Sequence, residues 1–373
     1  MIDIKDYRDT ERPYELWLCS FPNIANRQIL RLAEICGGAR GVYFSGVDSW
    51  RQVLKDKQVL HLKEFTEAWK PESEYRKLKE MGISLITPAD AEYPKRLREI
   101  PDPPYGLFVK GSLPAEHELT VAVIGARDCS NYGSFVAEKL GESLGRYGIT
   151  VVSGMARGID GISQQAALNA GGKSCGVLGC GLDICYPKEN RRLYDRLPEQ
   201  GCLISTYPPG TPALARNFPP RNRIVSGLAD AVVVVEAREK SGTLITVDMA
   251  LEQGKEVYAV PGRITDRLSD GCNRLIRQGA ALLINPEELI QELYGLQKRI
   301  AVNIEERKPG LRLSPELKAV FSTLELDPST TEEIRERLPA KWKDVNLNAC
   351  LMRLCMNKLA VQVSPGCFSG NFD

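Results

Sequence analysis

The segment Arg216-Asn-Phe-Pro-Pro-Arg-Asn-Arg223 carries the residue types best suited to bind an anion, since three arginines and two asparagines surround one phenylalanine. A guanidinium binds phosphate through a planar fork of donors and stays charged at any working pH. An aromatic ring beside such cations offers a flat face on which an unpaired base can stack. The residue types therefore predict a Pro-rich loop, at the start of a helix, that binds a polyanion.

Two upstream segments repeat this pattern, because each places an arginine just after an apolar run. They are Val121-Ala-Val-Ile-Gly-Ala-Arg127 and Ser153-Gly-Met-Ala-Arg-Gly-Ile-Asp160, and a helical stretch follows each. A helix that begins after a glycine turn presents free N–H groups and the positive end of its dipole. We therefore predict three basic loops at one edge of an α/β sheet.

Structural roles compete with anion binding at each of these residues. A surface ion pair would explain Arg127, and hydrogen bonds to backbone carbonyls would explain Arg221 and Arg223. Phe218 either anchors the loop in the core or stacks with a base. The glycines serve the turns first and ligand approach second, and single lysines beside turns are commonly just solvated.

Residues 71–296 alternate short apolar runs with helical stretches. The runs are nearly continuous in hydrophobic residues, which is typical of parallel strands covered on both faces. This alternation predicts a Rossmann-like, doubly wound, mostly parallel sheet, in which ligands bind at the carboxyl ends of the strands. The predicted strands are 120–124, 150–153, 174–178, 202–205, 231–236, 257–260 and 281–284.

The flanking segments predict two smaller domains. Residues 1–70 have the spacing of short helices, which predicts a small packing or partner-binding domain of helix-hairpin-helix or SAM-like type without a compact Gly-x-Gly hairpin. Residues 297–313 are charged and contain Pro and Gly, which predicts a linker. Residues 314–373 predict three helices and a β-hairpin, the order of a winged helix. Because the third of these helices has only Arg353 and Lys358 as basic residues, protein contact or dimerisation is at least as well supported there as DNA contact.

Composition limits the class of protein. The formal net charge of the 373 residues is +1, so no overall field attracts nucleic acid and a polyanion site must be a local patch. The chain has 11 cysteines, no signal peptide and no Cys-x-x-Cys pair, which predicts reduced thiols in a cytoplasmic protein and no metal site. No apolar run approaches the roughly 18 residues of a membrane helix, so no membrane association is predicted.

No nucleotide cofactor is predicted either. The pair Gly179-Cys-Gly181 would need a third glycine at position 184 to form a dinucleotide fingerprint, but Ile184 stands there. The sequence also lacks the Gly-x-x-x-x-Gly-Lys-Ser/Thr pattern of a phosphate loop. An NAD- or ATP-dependent enzyme therefore has no support.

The main alternative is a hydrolase of related fold. Val260-Pro-Gly262 and Ser241-Gly-Thr243 distantly resemble motifs of the nucleoside-monophosphate phosphoribohydrolases, but Thr246 stands where those enzymes carry a catalytic acid. Both histidines, His61 and His117, lie outside the strand–turn motifs, which argues against a histidine base.

Three carboxylates remain near the strand ends: Asp160, Asp183 and Glu236. Asp160 is predicted to cap a helix, and Glu236 is predicted to pair with Arg238. Because no acid, base and nucleophile come together in the pattern, no catalytic residue is predicted.

A set of ordered motifs runs between residues 82 and 294. The motifs are Tyr93-Pro-x-x-Leu97, Ile124-Gly-Ala-Arg127, Ser153-Gly-x-Ala-x-Gly-Ile-Asp160, Val177-Leu-Gly-x-Gly-Leu-Asp183, Tyr186-Pro187, Phe218-Pro-x-Arg-Asn-Arg223, Ser241-Gly-Thr243 and Val260-Pro-Gly262.

This series resembles the motifs of the DprA/Smf family of DNA-processing proteins. The resemblance implies a non-enzymatic, cytoplasmic protein that binds incoming single-stranded DNA, protects it and helps load a RecA-type recombinase during natural transformation. It also implies a homodimer formed through the Rossmann-like domain. This chain departs from the family at Ser205-Thr206, where Ser-Glu is usual.

The basic loops and this resemblance together give one set of candidate DNA-binding residues. Arg127, Arg221 and Arg223 are expected on phosphates, and Phe218 on a base. Because phosphates and base faces are common to all sequences, little sequence preference is expected. The full set is Gly125, Arg127, Gly154, Arg157, Gly158, Lys173, Gly181, Arg216, Phe218, Arg221, Asn222, Arg223, Lys240, Ser241 and Gly242.

Overall fold

The computed structural model describes residues 4–22, 24–294, 314–324, 328–357, 359–364 and 366–370. The chain forms two compact units, Met1–Pro286 and Glu287–Asp373, and each is described by itself. The predicted linker, 297–313, lies outside the described residues. The predicted domain boundary near residue 70 stays a prediction, although the N-terminal helices and the sheet belong to the same compact unit.

A sheet of nine strands, counted over the described residues, forms the centre of the first unit. The strands are β1 (Ser84–Ile86), β2 (Leu107–Gly111), β3 (Thr120–Ile124), β4 (Thr150–Ser153), β5 (Ser174–Leu178), β6 (Gly201–Ser205), β7 (Ala231–Val234), β8 (Glu256–Ala259) and β9 (Ala281–Leu282). They lie in the order β1-β2-β6-β5-β4-β3-β7-β8-β9. Neighbours from β6 to β9 run parallel, and β1 and β2 add antiparallel pairs at one edge. This confirms the predicted doubly wound, mostly parallel α/β sheet.

Helices connect these strands and precede them. Within the residues that the structure describes, none is both long and apolar enough to cross a membrane. Their bounds are α1 (Ile4–Ser20), α2 (Asn26–Cys36), α3 (Ala39–Ser45), α4 (Val47–Trp50), α5 (Asp56–Ala68), α6 (Pro71–Glu80), α7 (Lys95–Arg98), α8 (Asn131–Arg146), α9 (Ile159–Asn169), α10 (Arg191–Arg196), α11 (Phe218–Leu228), α12 (Gly242–Glu252), α13 (Asp270–Arg277) and α14 (Pro286–Tyr294).

The packing of α11 on the sheet fixes the position of the arginine-rich segment. Ala122 and Ile124, two residues apart on β3 and therefore on one face, share a buried apolar cluster with Ile224 and Val225 of α11. Full burial of an aliphatic side chain of this size stabilises the fold by roughly 1.5–3 kcal/mol. Apolar contacts of this kind hold α11 across the sheet.

The N-terminal helices form an apolar core of their own and are joined to the sheet by a polar contact. Trp17, Leu32 and Leu62 are fully buried in that core. Arg12 of α1 donates a hydrogen bond of 2.8 Å to the carboxylate of Asp90, which follows β1. The helical segment therefore has an apolar core of its own and an ionic contact with the residues that follow β1.

The turn between α2 and α3 contains Gly37-Gly38, the part of a helix-hairpin-helix that would meet a DNA phosphate. Here the backbone N–H of Arg40 donates to the carboxylate of Glu11 at 3.2 Å. The carboxylate of Glu11 therefore occupies the position at the start of α3 where a DNA phosphate would bind in a helix-hairpin-helix. The helix-hairpin-helix or SAM-like assignment stays a prediction.

Over its described residues, the second unit contains α14 from Glu287 onward, three further short helices and a sheet of three strands. Its apolar core is formed by residues such as Val320, Ile334, Leu351 and Leu354. The strands lie in the order β10-β12-β11, with antiparallel pairing, and the winged-helix-like assignment stays a prediction. The elements are α15 (Pro315–Phe321), β10 (Ser329–Thr330), α16 (Thr331–Arg337), α17 (Leu347–Met356), β11 (Ala360–Ser364) and β12 (Cys367–Gly370).

Candidate nucleic-acid interface

An open cleft of about 810 Å³ lies at the carboxyl ends of β3, β4 and β7. Its walls come from the loops that follow these strands and from the first turns of α11 and α12. A side chamber of about 470 Å³ adjoins the cleft at the ends of β4 and β5. This is the edge at which parallel sheets bind ligands, and the basic loops were predicted to meet there.

The structure brings most of the predicted residues to this edge. Five candidates flank lining residues in sequence without lining either space, namely Gly158, Gly181, Arg216, Arg223 and Lys240. Among the predicted residues, Arg157 lines the side chamber but not the cleft. The cleft is lined by Gly125, Arg127, Gly154, Phe218, Arg221, Asn222, Ser241 and Gly242.

Lys173 does not belong to this surface, which corrects the prediction. It directly precedes β5, so it lies at the amino end of the strand, whereas the cleft is at the carboxyl end. Its ammonium group forms an ion pair with Glu118, which precedes β3 at the same amino edge. A lysine before a strand and an arginine after a strand therefore face opposite edges of the sheet.

The predicted Pro-rich loop is in fact the first turn of α11, which begins at Phe218. Proline fits a first helical turn because its missing N–H would have no helical partner there. Residues two apart on an α-helix point about 200° apart, so Arg221 and Arg223 leave opposite sides of α11. Arg223 forms an ion pair with Asp102 and lines neither space. The two arginines are therefore not brought together, and the expectation that both bind phosphates stays a prediction.

Arg221 braces the edge of the sheet through backbone carbonyls. The residue is only 5% exposed, and its Nη1 donates to the carbonyl oxygens of Gly154, at 2.6 Å, and Val177. Burial lowers the pKa of the Arg221 guanidinium, and the negative charge of Asp160 opposes that shift. A Cβ at position 154 would lie 2.4 Å from Nη1, so this close contact requires glycine. Arg221 thus ties the ends of β4 and β5 together.

Asp160 supports the same brace. It is 8% exposed, and its carboxylate accepts a hydrogen bond of 3.1 Å from the backbone N–H of Gly154. Burial raises the pKa of Asp160, while Arg221 and the hydrogen bonds to the carboxylate lower it. The predicted capping role is wrong, because Gly158 occupies the N-cap of α9 and Asp160 is the second helical residue.

Glu236, fully buried at the end of β7, is engaged by the start of α8. Its carboxylate accepts hydrogen bonds from the backbone N–H of Ser130, at 2.9 Å, and from the Ser130 hydroxyl. The predicted pairing with Arg238 is absent from the described residues.

The described part of the chain also holds no cluster of three or more His, Cys, Asp or Glu side chains that could bind a metal.

Gly158 lets two of the basic loops touch. Its φ of 72° lies in the left-handed region that favours glycine. A Cβ at this position would lie 2.4 Å from the backbone carbonyl oxygen of Arg127. The turn between β4 and α9 can therefore press against the loop that carries Arg127 only with glycine at position 158.

Arg127 is a cation of the cleft that remains available to a ligand. It is exposed, and the described residues supply no ion-pair partner for it. Its guanidinium carbon lies 5.6 Å from the centroid of the Phe218 ring, which is within the range of a cation–π contact. Arg157 differs, because it forms an ion pair with Asp128 at 3.4 Å.

Phe218 is half-buried at the centre of these contacts. Its ring lies 5.5 Å from the guanidinium carbon of Arg221 and 5.6 Å from the ring of Tyr186, at an interplanar angle of 35°. A Cβ at Gly179 would lie 3.0 Å from its Cδ1. The Phe218 ring is thus held by its neighbours and still partly exposed to the cleft. This arrangement is compatible with both predicted roles, anchoring the start of α11 and stacking with a base.

Arg238, Tyr186, Ile245 and Thr246 are among the cleft-lining residues that the sequence did not identify as candidates. Arg238 follows β7 as Arg127 follows β3, so the same pattern could have identified it. Tyr186 belongs to a motif already noted in the sequence, and Lys188 two residues later is the signal that could have marked it as a ligand contact. Ile245 and Thr246 lie one helical turn after Gly242 on α12, and their side chains reach the cleft through that spacing.

The fold and this cleft define a Rossmann-like α/β protein with an arginine-lined site at the carboxyl edge of its sheet. The family model of DNA recombination-mediator protein A matches residues 84–294, which is more than half of the chain. The chain therefore belongs to this family, which confirms the resemblance to DprA and Smf.

Individual relatives and solved structures that resemble this chain are also DprA or Smf proteins. Protein Smf of Escherichia coli (strain K12) is 48% identical over 214 residues, which are 57% of this chain and 57% of that protein. DNA processing protein DprA of Streptococcus pneumoniae is 45% identical over 200 residues, or 54% of this chain and 71% of that protein. The match thus spans little more than half the length of the E. coli relative.

The X-ray structure of DprA from Streptococcus pneumoniae covers 75% of this chain and 97% of its own, with a TM-score of 0.67 and 36% identity. The structure of DNA processing protein A from Helicobacter pylori, reported for its single-stranded DNA binding mode, covers 57% of this chain and 96% of its own. Its TM-score is 0.51 and its identity 29%.

Proposed function

We propose that this protein binds single-stranded DNA in the cleft, with phosphates on Arg127 and unpaired bases against the aromatic side chains. The observation that carries the proposal is the placement of Arg127. It is exposed, has no ion-pair partner among the described residues, and lies over the ring of Phe218. A cation beside an aromatic face suits a phosphate and an adjoining base together. The Helicobacter pylori relative, described by its single-stranded DNA binding mode, supports the same ligand.

Other groups at the cleft add to the attraction for phosphate. Arg238 lines the cleft and Lys188 lines the side chamber, both with exposed side chains. Ser241 occupies the N-cap of α12, and its hydroxyl has no hydrogen-bond partner among the described residues. Gly242 and Thr243, the first residues of that helix, line the cleft, and the free N–H groups of a helix start favour an anion. These contacts read no base edge, so the proposal includes little sequence preference.

We infer that the bound strand is protected and passed to a RecA-type recombinase during natural transformation. Membership of the DNA recombination-mediator protein A family supports this step, as do the relatives named for DNA processing. A homodimer formed through the Rossmann-like domain and action in the cytoplasm belong to the same proposal.

We also infer that the protein acts without catalysing a reaction. Asp160 and Glu236 are engaged by backbone donors, and the hydrolase motif lacks its acid. Incubation with nucleoside monophosphates should therefore release no free base, as measured by chromatography. Release of base that is abolished by Asp160→Asn or Glu236→Gln would contradict this inference.

The binding proposal is tested by fluorescence anisotropy with a labelled single strand and the matching duplex at several salt concentrations. The single strand should bind more tightly, because duplex bases cannot reach an aromatic face. The log–log slope of affinity against salt should be about −0.7 for each phosphate neutralised. Equal affinity for duplex, or no binding of the single strand, would refute the proposal.

A further inference from the structure

The side chamber and the cleft share a wall. Arg127, Tyr186, Phe218 and Arg221 line both spaces, so these side chains lie between them. Beyond this wall, the side chamber is lined by the end of β5 and the loop that follows it, including Cys180. A flexible strand that crosses the wall would place neighbouring nucleotides in the two spaces.

Tyr186 presents the more open aromatic face of this wall. It is 43% exposed, whereas Phe218 is half-buried and has Arg127 and Arg221 near its ring. The rings of Tyr186 and Phe218 are already in contact at 5.6 Å between centroids, within the 4.5–7 Å range of aromatic pairs. No base fits between the two rings in this arrangement, so the face of Tyr186 turned away from Phe218 is the one left for stacking.

The loop that carries Tyr186 is held in place by its own hydrogen bonds. The side-chain amide of Asn190 donates to the carbonyl oxygens of Met155, at 3.0 Å, and Ala156, at 2.9 Å. These bonds connect the Tyr186 loop to the turn after β4, which also lines both spaces. Tyr186 is therefore positioned before any ligand arrives.

The rim of the side chamber is mixed in charge but carries more cations than anions. Arg157 and Lys188 are exposed there, and Glu189 is the acid beside them. Arg157 is paired with Asp128, so Lys188 and the shared Arg127 are the cations available to a phosphate. A phosphodiester with an unpaired base fits this combination of open aromatic face and cationic rim.

We propose that the side chamber is a second nucleotide subsite, in which Tyr186 stacks with one base while Arg127 holds the phosphate that links it to the nucleotide in the cleft. This proposal rests on single-stranded DNA being the ligand of the cleft. It makes Tyr186 a binding residue and Asn190 a positioning residue. It also requires a bound strand to span at least two nucleotides across the wall.

The test uses the full chain, a short oligothymidylate that carries one 2-aminopurine, and the variants Tyr186→Leu and Tyr186→Phe. Tyr186→Leu should weaken binding about fivefold to a hundredfold and reduce the quenching of 2-aminopurine, because a stacking face is lost. Tyr186→Phe should keep both, because the ring remains. The salt slope should stay the same in both variants, since no charge changes.

Phe135→Leu is the matched control. Phe135 is 59% exposed on α8 and lines neither space, so its replacement should leave affinity and quenching unchanged. Wild-type affinity and quenching in Tyr186→Leu, together with weaker binding in Arg127→Ala, would overturn this proposal and leave the cleft as the DNA site. No binding of the oligonucleotide by the wild-type protein would overturn the proposed function, and the second subsite with it.

Discussion

Phe218→Ala should weaken the binding of single-stranded DNA by about fivefold to a hundredfold, because a base stacked on an aromatic side chain contributes roughly 1–3 kcal/mol. Phe218→Trp should keep most of the affinity, since an aromatic face survives. The dependence of affinity on salt should not change in either variant, because no charge is removed. Anisotropy titrations at two or more salt concentrations measure both quantities.

The competing role of Phe218 predicts a different pattern. If the ring only anchors the start of α11 against Gly179 and Arg221, Phe218→Ala should lower the melting temperature, and Phe218→Leu should restore both stability and binding as well as Phe218→Trp does. Phe135→Ala removes an exposed ring of the same type outside both spaces and is the control. Equal DNA affinity of the Leu and Trp variants would contradict stacking on Phe218.

The parallel part of the sheet could be predicted from sequence because its strands are buried on both faces. The run that forms β3 is apolar at nearly every position and is buried along its whole length. The antiparallel edge strands β1 and β2 escaped prediction. β1 has only three residues, with one of them exposed, so neither a continuous apolar run nor a clear alternation marks it.

The location of the candidate site could also be predicted, since an arginine just after a parallel strand lies at the carboxyl edge of the sheet. The direction of individual side chains could not. Pro219 and Pro220 suggest a loop, but they occupy the first turn of α11. Because the helix begins at Phe218, Arg221 and Arg223 are helical residues and their side chains point to opposite sides. The burial of Arg221 likewise depends on carbonyl groups of β4 and β5 that are distant in sequence.

This difference decides which arginine gives an interpretable variant. Removal of Arg221 would leave the carbonyl groups of Gly154 and Val177 without their donor, and Asp160 without its neighbouring positive charge. Loss of a buried charged partner destabilises a protein by several kcal/mol, so a loss of DNA binding in that variant would have two explanations. Arg127 is exposed and has no ion-pair partner among the described residues, so its removal should leave the fold intact.

Arg127→Ala should weaken single-stranded DNA binding about tenfold to a hundredfold at low salt, because a hydrogen bond to a charged group contributes roughly 1.5–3 kcal/mol. The log–log slope of affinity against salt should become less negative by about 0.7, the contribution of one phosphate contact on a single strand. Lys173→Ala is the control, because it removes a cation that is paired with Glu118 at the opposite edge of the sheet. That variant should keep the wild-type affinity and slope.

The salt dependence of single-stranded DNA binding by the wild-type protein and by Arg127→Ala tests the central claim most directly. With a melting temperature equal to that of the wild type, Arg127→Ala should show the lower affinity and the shallower slope, and Lys173→Ala should show neither. A folded Arg127→Ala variant with unchanged affinity and unchanged slope would contradict the claim, because the phosphates would then be bound elsewhere on the protein.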